Sequence, residues 1–501
     1  MPYTSNDKIR SGGIWSFLQN GGNQIIGFLL GIVLARVLMP EDFGMVAMVM
    51  VFIGFAGFLQ QFGFNAALIQ NQDVDNRDYS TVFWFNAFAG LVLFAVFFVG
   101  SPLVGNIYDN PELNLLTKYL AFNFLFNALT SVQSTILTKQ FEFKKLAVIN
   151  LGANLLMYVV AIPLALLDHG VMALVWGTIA QNLGKGLALW VFSAWKPEFV
   201  FSKTSFKKLF KFGIFVFLQA PLGYIERNVD TFMIGKLSGD ASLGLYNKAY
   251  QIMLLPIKNI SNSFRQVLYP ALSEAQNDNV RARMLILRMF RVVAFISFPI
   301  MFGIAVIAEP FIIGIYGEKW AGTIPLLQIL AIIGANQSIG TFVGTGYNAK
   351  GKPHIGLYLN LIKTPLLVFV FFAGYHWKGL MGMVYFYFLF SLIFSTVTFS
   401  LLFKLYEIKV KQFFAYLGPG ILCSIGMAGI VKLVGFLPLI QFLPHIIQLF
   451  VLSLIGFIIY LSTIMLYKLE AFFDFANQVP FIKKLPLLKW YFRRYGSTSV
   501  K

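Results

Sequence analysis

The sequence predicts an all-α integral membrane protein with about fourteen transmembrane helices. Three observations predict it: an apolar composition, long apolar runs with short connections, and basic residues gathered on alternate connections. Of the 501 residues, 58% are hydrophobic and 12% are charged, about half the charge of a soluble domain. The 55 Phe and 43 Gly suit lipid-facing and close-packed helices, since Gly is commoner in transmembrane helices than in soluble ones. No stretch is left for a soluble domain of any size.

A spanning helix needs about 20 mainly apolar residues. Such runs lie at 13–35, 43–69, 80–107, 114–138, 146–167, 170–195, 211–237, 243–270, 288–316, 322–347, 355–375, 379–404, 414–436 and 440–467. The longest segments outside them are 196–210, 271–287 and the tail 468–501. The first run is long enough to span and lacks a small-residue cleavage site, so no cleavable signal peptide is expected. Basic residues are retained on the cytoplasmic side. With the N-terminus placed inside, 27 of the 39 Lys and Arg fall on inner segments and 5 on outer ones. That split predicts an even number of crossings and two cytoplasmic termini. The weakest segment is 70–79, where Asp73, Asp75 and Asp78 outnumber Arg77; acidic residues carry little weight in this rule.

The chain also repeats itself. Gly13, Ile14, Phe17, Leu18 and Gln19 recur as Gly213, Ile214, Phe217, Leu218 and Gln219, and Arg36 and Gly44 meet Lys236 and Gly244 in the same register. Pro102, Ile107 and Tyr108 match Pro310, Ile315 and Tyr316; Gly170, Met172 and Val175 match Gly379, Met381 and Val384. The offset drifts from 200 to 209, as duplication followed by small insertions would leave it. Six helices per copy is an even number, so the copies start on the same side. They are parallel repeats, which in transporters enclose the substrate path. The expected organisation is an N-lobe at 1–200, a C-lobe at 201–405, two further helices at 406–467 and a basic, aromatic cytoplasmic tail at 468–501.

In that tail Phe472, Phe473, Phe475, Phe481, Trp490, Tyr491 and Phe492 interleave with Lys483, Lys484, Lys489, Arg493 and Arg494. Aromatic rings favour the membrane interface and basic residues attract anionic headgroups, so a surface-lying anchor is the expectation, with protein docking as the alternative. The net charge of +18 points to anionic lipid or an anionic lipid-linked substrate rather than nucleic acid, because the bases sit between apolar runs. The single Cys423 lies in an apolar run, and His169, His354, His376 and His445 are scattered. Neither a disulfide nor a metal site is expected.

Ionisable groups inside a bilayer are costly and must face a partner or a watery cavity. The informative ones are Glu226, Arg227 and Asp230 in the seventh run, Lys248, Lys258 and Arg265 in the eighth, and Lys363 in the eleventh. Lys258 and Arg265 stand seven residues apart, two turns along one helix face. Lys248 is about 80° away around the axis. One reading makes these bases the lining for an anionic headgroup, a diphosphate or an acidic sugar, which Arg holds by its fork and Lys as a point charge. The other has Glu226, Arg227 and Asp230 neutralise one another and Lys248 snorkel to the outer surface. Lys118 and Lys185 lie near helix ends, where snorkelling is the expectation. Gln19 and Gln219 occupy equivalent repeat positions; as buried amides they serve as helix–helix glue or as substrate contacts. Gln60, Gln61, Asn65 and Gln133 pose the same choice.

No phosphate-cradling Gly-Lys-Ser/Thr loop is present, so an ATP-driven pump is not expected. An enzyme acting on lipid-linked sugars would want a sizeable outward loop, and the outward connections are only a few residues long.

Two stretches carry a likeness. One runs from Arg227 through Asp230 and Gly235 to Lys236, closing with Leu243, Gly244, Leu245, Tyr246, Asn247, Lys248, Ala249 and Tyr250; the other runs from Leu34, Ala35 and Arg36 through Pro40, Glu41 and Asp42 to Gly44. Over about residues 10–405 the sequence resembles the bacterial polysaccharide flippases, in the branch of colanic-acid and teichuronic-acid exporters. The resemblance implies the V-shaped, two-lobed fold of the multidrug/oligosaccharidyl-lipid/polysaccharide exporter superfamily. It implies alternating access and movement of an undecaprenyl-pyrophosphate-linked oligosaccharide across the inner membrane. The expected drive is a gradient of H⁺ or Na⁺, or the membrane potential, with no other cofactor. The expected partners are the lipid-linked oligosaccharide, membrane lipids and other polysaccharide-assembly proteins, and a monomer is favoured. Of the charges in the middle of the seventh run, only Arg227 and Asp230 lie within the shared motif. The alternatives are a drug or metabolite antiporter of the same superfamily and a polysaccharide polymerase or ligase.

Overall fold

The computed structural model describes the backbone of residues 5–467 and 470–478. It describes their side chains except at 5–11, 215–216, 218–220, 222, 261–263, 265–267 and 476–478. Among the described residues every regular element is helical. The chain packs as two compact units, the first ending at Gly244 and the second beginning at Leu245.

The first unit holds α1 (Ser5–Val37), α2 (Pro40–Gln61), α3 (Phe64–Gln70), α4 (Asn76–Val99), α5 (Ser101–Tyr108), α6 (Glu112–Lys139), α7 (Phe143–Leu166), α8 (Val171–Phe192) and the first part of α9 (Lys203–Glu274). The second holds the rest of α9, α10 (Asn279–Val306), α11 (Ala308–Ile315), α12 (Thr323–Gly340), α13 (Val343–Ala349), α14 (Pro353–Tyr406), α15 (Val410–Gly435), α16 (Pro438–Gln441), α17 (His445–Tyr467) and α18 (Glu470–Gln478). Among the described residues, ten helical spans are long and apolar enough to cross a membrane. One of them, α14, carries two of the fourteen apolar runs, and α8 and α9 carry three more. Both long helices break at glycine. Gly239 has φ 82° and ψ 179°, and Gly379 has φ 55° and ψ −140°. Only a residue without Cβ adopts such angles readily.

Local chemistry explains the connections. Pro40 opens α2 at its first turn, where a missing N–H costs nothing. The acidic segment 70–79 is structural. The Asp78 N–H donates to Asp75 Oδ1 at 2.9 Å and the Asp75 N–H donates to Asp78 Oδ2 at 3.4 Å, a reciprocal cap on α4. Lys208 Nζ then meets Asp78 at 3.3 Å and the Asp73 carbonyl at 2.6 Å.

The two expected copies share a local pattern of elements. Each copy has a long helix followed by an eight-residue one, α4 with α5 and α10 with α11. Each ties a connection between helices with a lysine. Lys139 Nζ donates to the carbonyls of Leu68 and Asn71 and lies over the Tyr79 ring. Lys350 Nζ donates to the Gln276 carbonyl and Asn279 Oδ1 and lies over the Tyr406 ring.

Repeat and packing divide the chain differently. The repeat boundary falls near 200, yet the stretch up to Gly244 packs in the first unit. There α9 lies along α2. The backbone of Gly213 rests on Phe62 and Gly63, and Phe217 stacks on Phe62 at 4.2 Å between ring centroids. The Tyr224 hydroxyl donates at 3.1 and 3.0 Å toward the Met50 and Val51 carbonyls. Near the break at Gly239, Lys236 Nζ pairs with Asp109 at 2.5 Å, and Asn110 Nδ2 donates to Asp240 Oδ2 at 2.9 Å.

The beginning of the tail departs from the expected lipid-lying anchor. In α18, Ala471, Phe472 and Phe473 are buried against Phe295 and Ile464 of the protein itself. Its acidic side grips Arg291, which is 12% exposed. That guanidinium donates from Nε to Asp474 at 2.9 Å, bonds Glu470 as well, and lies 4.7 Å from the Tyr416 ring. Buried aromatics with a charge-matched partner outcompete the interface here. The remaining tail residues named above, from Phe481 on, lie outside the described residues. Arg291→Ala leaves Asp474 half-enclosed without its partner, at a cost of about 2 kcal/mol for so partly exposed a pair. The expected result is a lower thermal unfolding midpoint and faster proteolysis around residues 468–482. Wild-type proteolysis in that variant would contradict the docked arrangement.

Candidate substrate-handling residues

In the first unit the candidate charges stand on the first part of α9, whose rotation is fixed by Tyr224. Its hydroxyl reaches the α2 carbonyls because Gly54 leaves room; a Cβ there would lie 2.9 Å from Tyr224 Cζ. Arg227, one turn on, is exposed, and its Nε donates to the carbonyl of Gly223 at 2.8 Å. The guanidinium is thus oriented from its own helix. Asp230 is 7% exposed, and its Oδ1 accepts from the Thr231 N–H at 2.8 Å. Glu226 is half-buried. Gln19, on α1, is also half-buried. The side chain of Gln219 lies outside the described residues.

In the second unit Lys248 does not snorkel into open surroundings. It is 8% exposed, and its ammonium lies 5.1 Å from the Tyr316 ring and 5.0 Å from the Trp320 ring. A cation over two aromatic faces is held by their quadrupoles. Trp320 is fully buried and follows Gly317, whose φ of 97° turns the chain back. The repeat supplies the contrast. The counterpart of Lys248 is Met48, and Met48 and Tyr108 both lie against Gly235. The same repeat position carries a thioether in one copy and a cation over two rings in the other. The aromatic partners of Lys248 are not signalled by any local pattern, although Tyr316 was already marked by its match to Tyr108.

Lys258 is exposed and, among the described residues, makes no hydrogen bond or ion pair. Lys363 on α14 is half-buried, 5.9 Å from the Phe394 ring. The side chain of Arg265 lies outside the described residues. Of the amides, Gln60 is glue: its Nε2 donates to the Phe124 carbonyl at 2.6 Å, tying α2 to α6. Asn65 Nδ2 bonds Gln61 within its own segment at 3.3 Å. Gln133 is different. It is fully buried and neither amide atom has a partner among the described residues.

A family model described as "Polysaccharide biosynthesis protein" matches residues 33–325. The teichuronic acid biosynthesis protein TuaB of Bacillus subtilis is 32% identical over 307 residues, 61% of this chain and 63% of that protein. The match thus spans less than two thirds of that relative. The lipopolysaccharide biosynthesis protein WzxC of Escherichia coli is 26% identical over 400 residues, 79% of this chain and 81% of that protein. Among solved structures, the lipid II flippase MurJ in an inward closed conformation superposes with a TM-score of 0.74 at 16% identity, covering 91% of this chain and 98% of that one. An inward-facing multidrug resistance transporter of the MATE family superposes with a TM-score of 0.60 at 15% identity, covering 77% and 96%. At these identities the structural likeness concerns the fold alone.

Proposed function

This chain belongs to the polysaccharide biosynthesis protein family, and from that premise we propose that it is a flippase for lipid-linked oligosaccharide. It moves an undecaprenyl-pyrophosphate-linked repeat unit from the inner to the outer leaflet of the bacterial inner membrane, by alternating access, for surface polysaccharide assembly. Relatives named for teichuronic acid and lipopolysaccharide biosynthesis support the substrate class, and the fold shared with a lipid II flippase supports the mode of action.

One observation carries the choice among functions: the charges within the apolar runs are mostly basic. Lys118, Lys185, Arg227, Lys248, Lys258, Arg265 and Lys363 lie there. A pathway for cationic drugs needs acids at those depths. A pathway for pyrophosphate or acidic sugars needs bases, which gain strength where water is scarce. Arg227, Lys258 and Arg265 bind the anionic headgroup while the polyprenyl tail stays in lipid. An H⁺ or Na⁺ gradient, or the membrane potential, supplies the drive. The chain crosses fourteen times with both termini in the cytoplasm, and works as a monomer beside other polysaccharide-assembly proteins.

The test is transport by the purified protein in vesicles, with a fluorescent lipid-linked oligosaccharide in one leaflet. The expected result is time-dependent loss from that leaflet, with no longer glycan formed. Chain growth would make the protein a polymerase or ligase. Efflux of a cationic dye with no movement of the glycolipid would make it a drug antiporter.

A further inference from the structure

Between Gly12 and Gly31, α1 packs on α7 through one side. Gly22 brings its backbone to Leu151, Asn154 Nδ2 donates to Asn23 Oδ1 at 3.2 Å, and the Tyr158 hydroxyl donates to the Gly27 carbonyl at 3.3 Å. The remaining surface of the helix divides in two. One part is apolar: Ile14, Leu18, Ile25 and Leu29 are all exposed, as a face in lipid should be. The other carries Phe17, Asn20 and Gln24. At 100° per residue these three fall within about 60° of one another around the axis. Their spacings of three and four residues put neighbouring Cβ atoms about 5–6 Å apart. Phe17 is 76% exposed, Asn20 is exposed and Gln24 is half-buried. Neither amide makes a hydrogen bond among the described residues.

The other copy of the repeat supplies the contrast. In the same register Gly13, Phe17 and Gln24 correspond to Gly213, Phe217 and Tyr224 of α9, and all three of those are seated on α2. Gly213 rests on Phe62 and Gly63, Phe217 stacks on Phe62 at 4.2 Å, and the Tyr224 hydroxyl reaches the Met50 and Val51 carbonyls. On α1 the equivalent face is uncovered. A Cβ on Gly13 would meet none of the described residues within 4 Å. Amides stand there at 20 and 24, where α9 has Ala220 and Tyr224.

Both amides lie well inside the span Gly12–Val37. An amide facing hydrocarbon with no partner is costly, so this face suits a polar ligand passing along it. Its chemistry says which part of a glycolipid. A pyrophosphate calls for Lys or Arg, and the face has neither. A polyprenyl tail calls for the apolar side. Each amide offers two N–H donors and a carbonyl acceptor, the complement of sugar hydroxyls, which both donate and accept. The exposed ring of Phe17 adds a platform, since its negative face attracts the weakly positive C–H face of a sugar ring. We propose that Phe17, Asn20 and Gln24 form a glycan-binding face on α1, which takes the sugar part of the lipid-linked substrate. This rests on the flippase reading and adds recognition of the sugar to that of the headgroup.

The test compares two probes on the purified full chain in detergent, by the rise in its unfolding midpoint with concentration. One is the lipid-linked oligosaccharide extracted from the cells that make the protein; the other is undecaprenyl pyrophosphate, which lacks the sugar. Wild type should bind the first at least tenfold more tightly. Asn20→Leu combined with Gln24→Leu should remove most of that preference, Phe17→Ala should cut it about threefold, and Phe17→Tyr, which keeps the ring, should leave it. All should bind undecaprenyl pyrophosphate as wild type does. Without either probe the double leucine variant should unfold no earlier than wild type, because neither amide is bonded. Three results in that variant overturn the proposal: an earlier midpoint makes the face a helix contact, an unchanged preference makes it a lipid contact, and equal loss toward both probes makes it a support for the headgroup site. Wild type that binds both probes equally overturns it too. Wild type that binds neither overturns the flippase reading itself, and the glycan face with it.

Discussion

Changing Arg227, Lys258 and Arg265 together to glutamine takes export of lipid-linked oligosaccharide to background, while membrane-inserted, folded protein stays at the wild-type amount. Lys258 and Arg227 do little for stability. Lys258 is exposed and makes no hydrogen bond or ion pair among the described residues. Arg227 is exposed and bonds only the Gly223 carbonyl of its own helix among the contacts seen here, a local bond with little to lose. Their value lies in what they hold. A hydrogen bond to a charged group contributes about 1.5–3 kcal/mol, and each 1.4 kcal/mol is a factor of ten in rate. Three such losses compound to roughly a thousandfold. Measuring surface polysaccharide beside the amount of membrane-extracted protein separates transport from folding. Undiminished export in the triple variant would refute the cationic path, whatever the fold.

Helix positions were legible in the sequence because a bilayer tolerates only continuous backbone hydrogen bonding, which stretches an apolar run into a helix. The repeat was legible because glycine and proline mark turns. The capping of α4 by Asp75 and Asp78 was legible in principle, though only as an acidic anomaly in the charge count. What could not be read were pairings set by tertiary packing. Arg291 and Asp474 stand 183 residues apart, and nothing near either announces the other. Lys248 sits beneath Trp320, which has no partner signature in its own segment. Gln133 was one of several intramembrane amides with equal standing. Only packing separates it, without a partner among the described residues, from Gln60, which ties two helices together. The continuity of α9 was equally hidden. Its two apolar runs are separated by a polar turn in sequence, and Gly239 alone interrupts the helical backbone there.

Alanine at Gly44 and alanine at Gly244 should each cut export at least tenfold, and by closely similar factors. The two glycines are repeat counterparts 200 residues apart, and in the first unit they meet reciprocally. A Cβ on Gly44 would overlap the carbonyl of Asp240 and lie 3.0 Å from its Cα; a Cβ on Gly244 would overlap the carbonyl of Pro40 and lie 3.2 Å from its Cα. Pro40 and Asp240 are themselves counterparts in the same register. Each copy thus offers the other a glycine and a backbone carbonyl, as a two-fold relation between duplicated segments requires. The obstruction is backbone, so no rotamer change relieves it, and overpacking of this kind costs about 1–3 kcal/mol per site. The contact stands beside the Lys236–Asp109 and Asn110–Asp240 pairs, so forcing it apart loosens the whole connection between α2, α5 and α9. Gly57 supplies the control. It is on α2 as well, but a Cβ there would meet nothing within 4 Å. Gly57→Ala should therefore keep full export, and gain up to about 1 kcal/mol of helix propensity. If the three alanine variants behave alike in export and in unfolding midpoint, the close approach of Gly44 and Gly244 has no part in transport. If only one of the two repeat glycines matters, the reciprocal relation between the copies is not what transport uses.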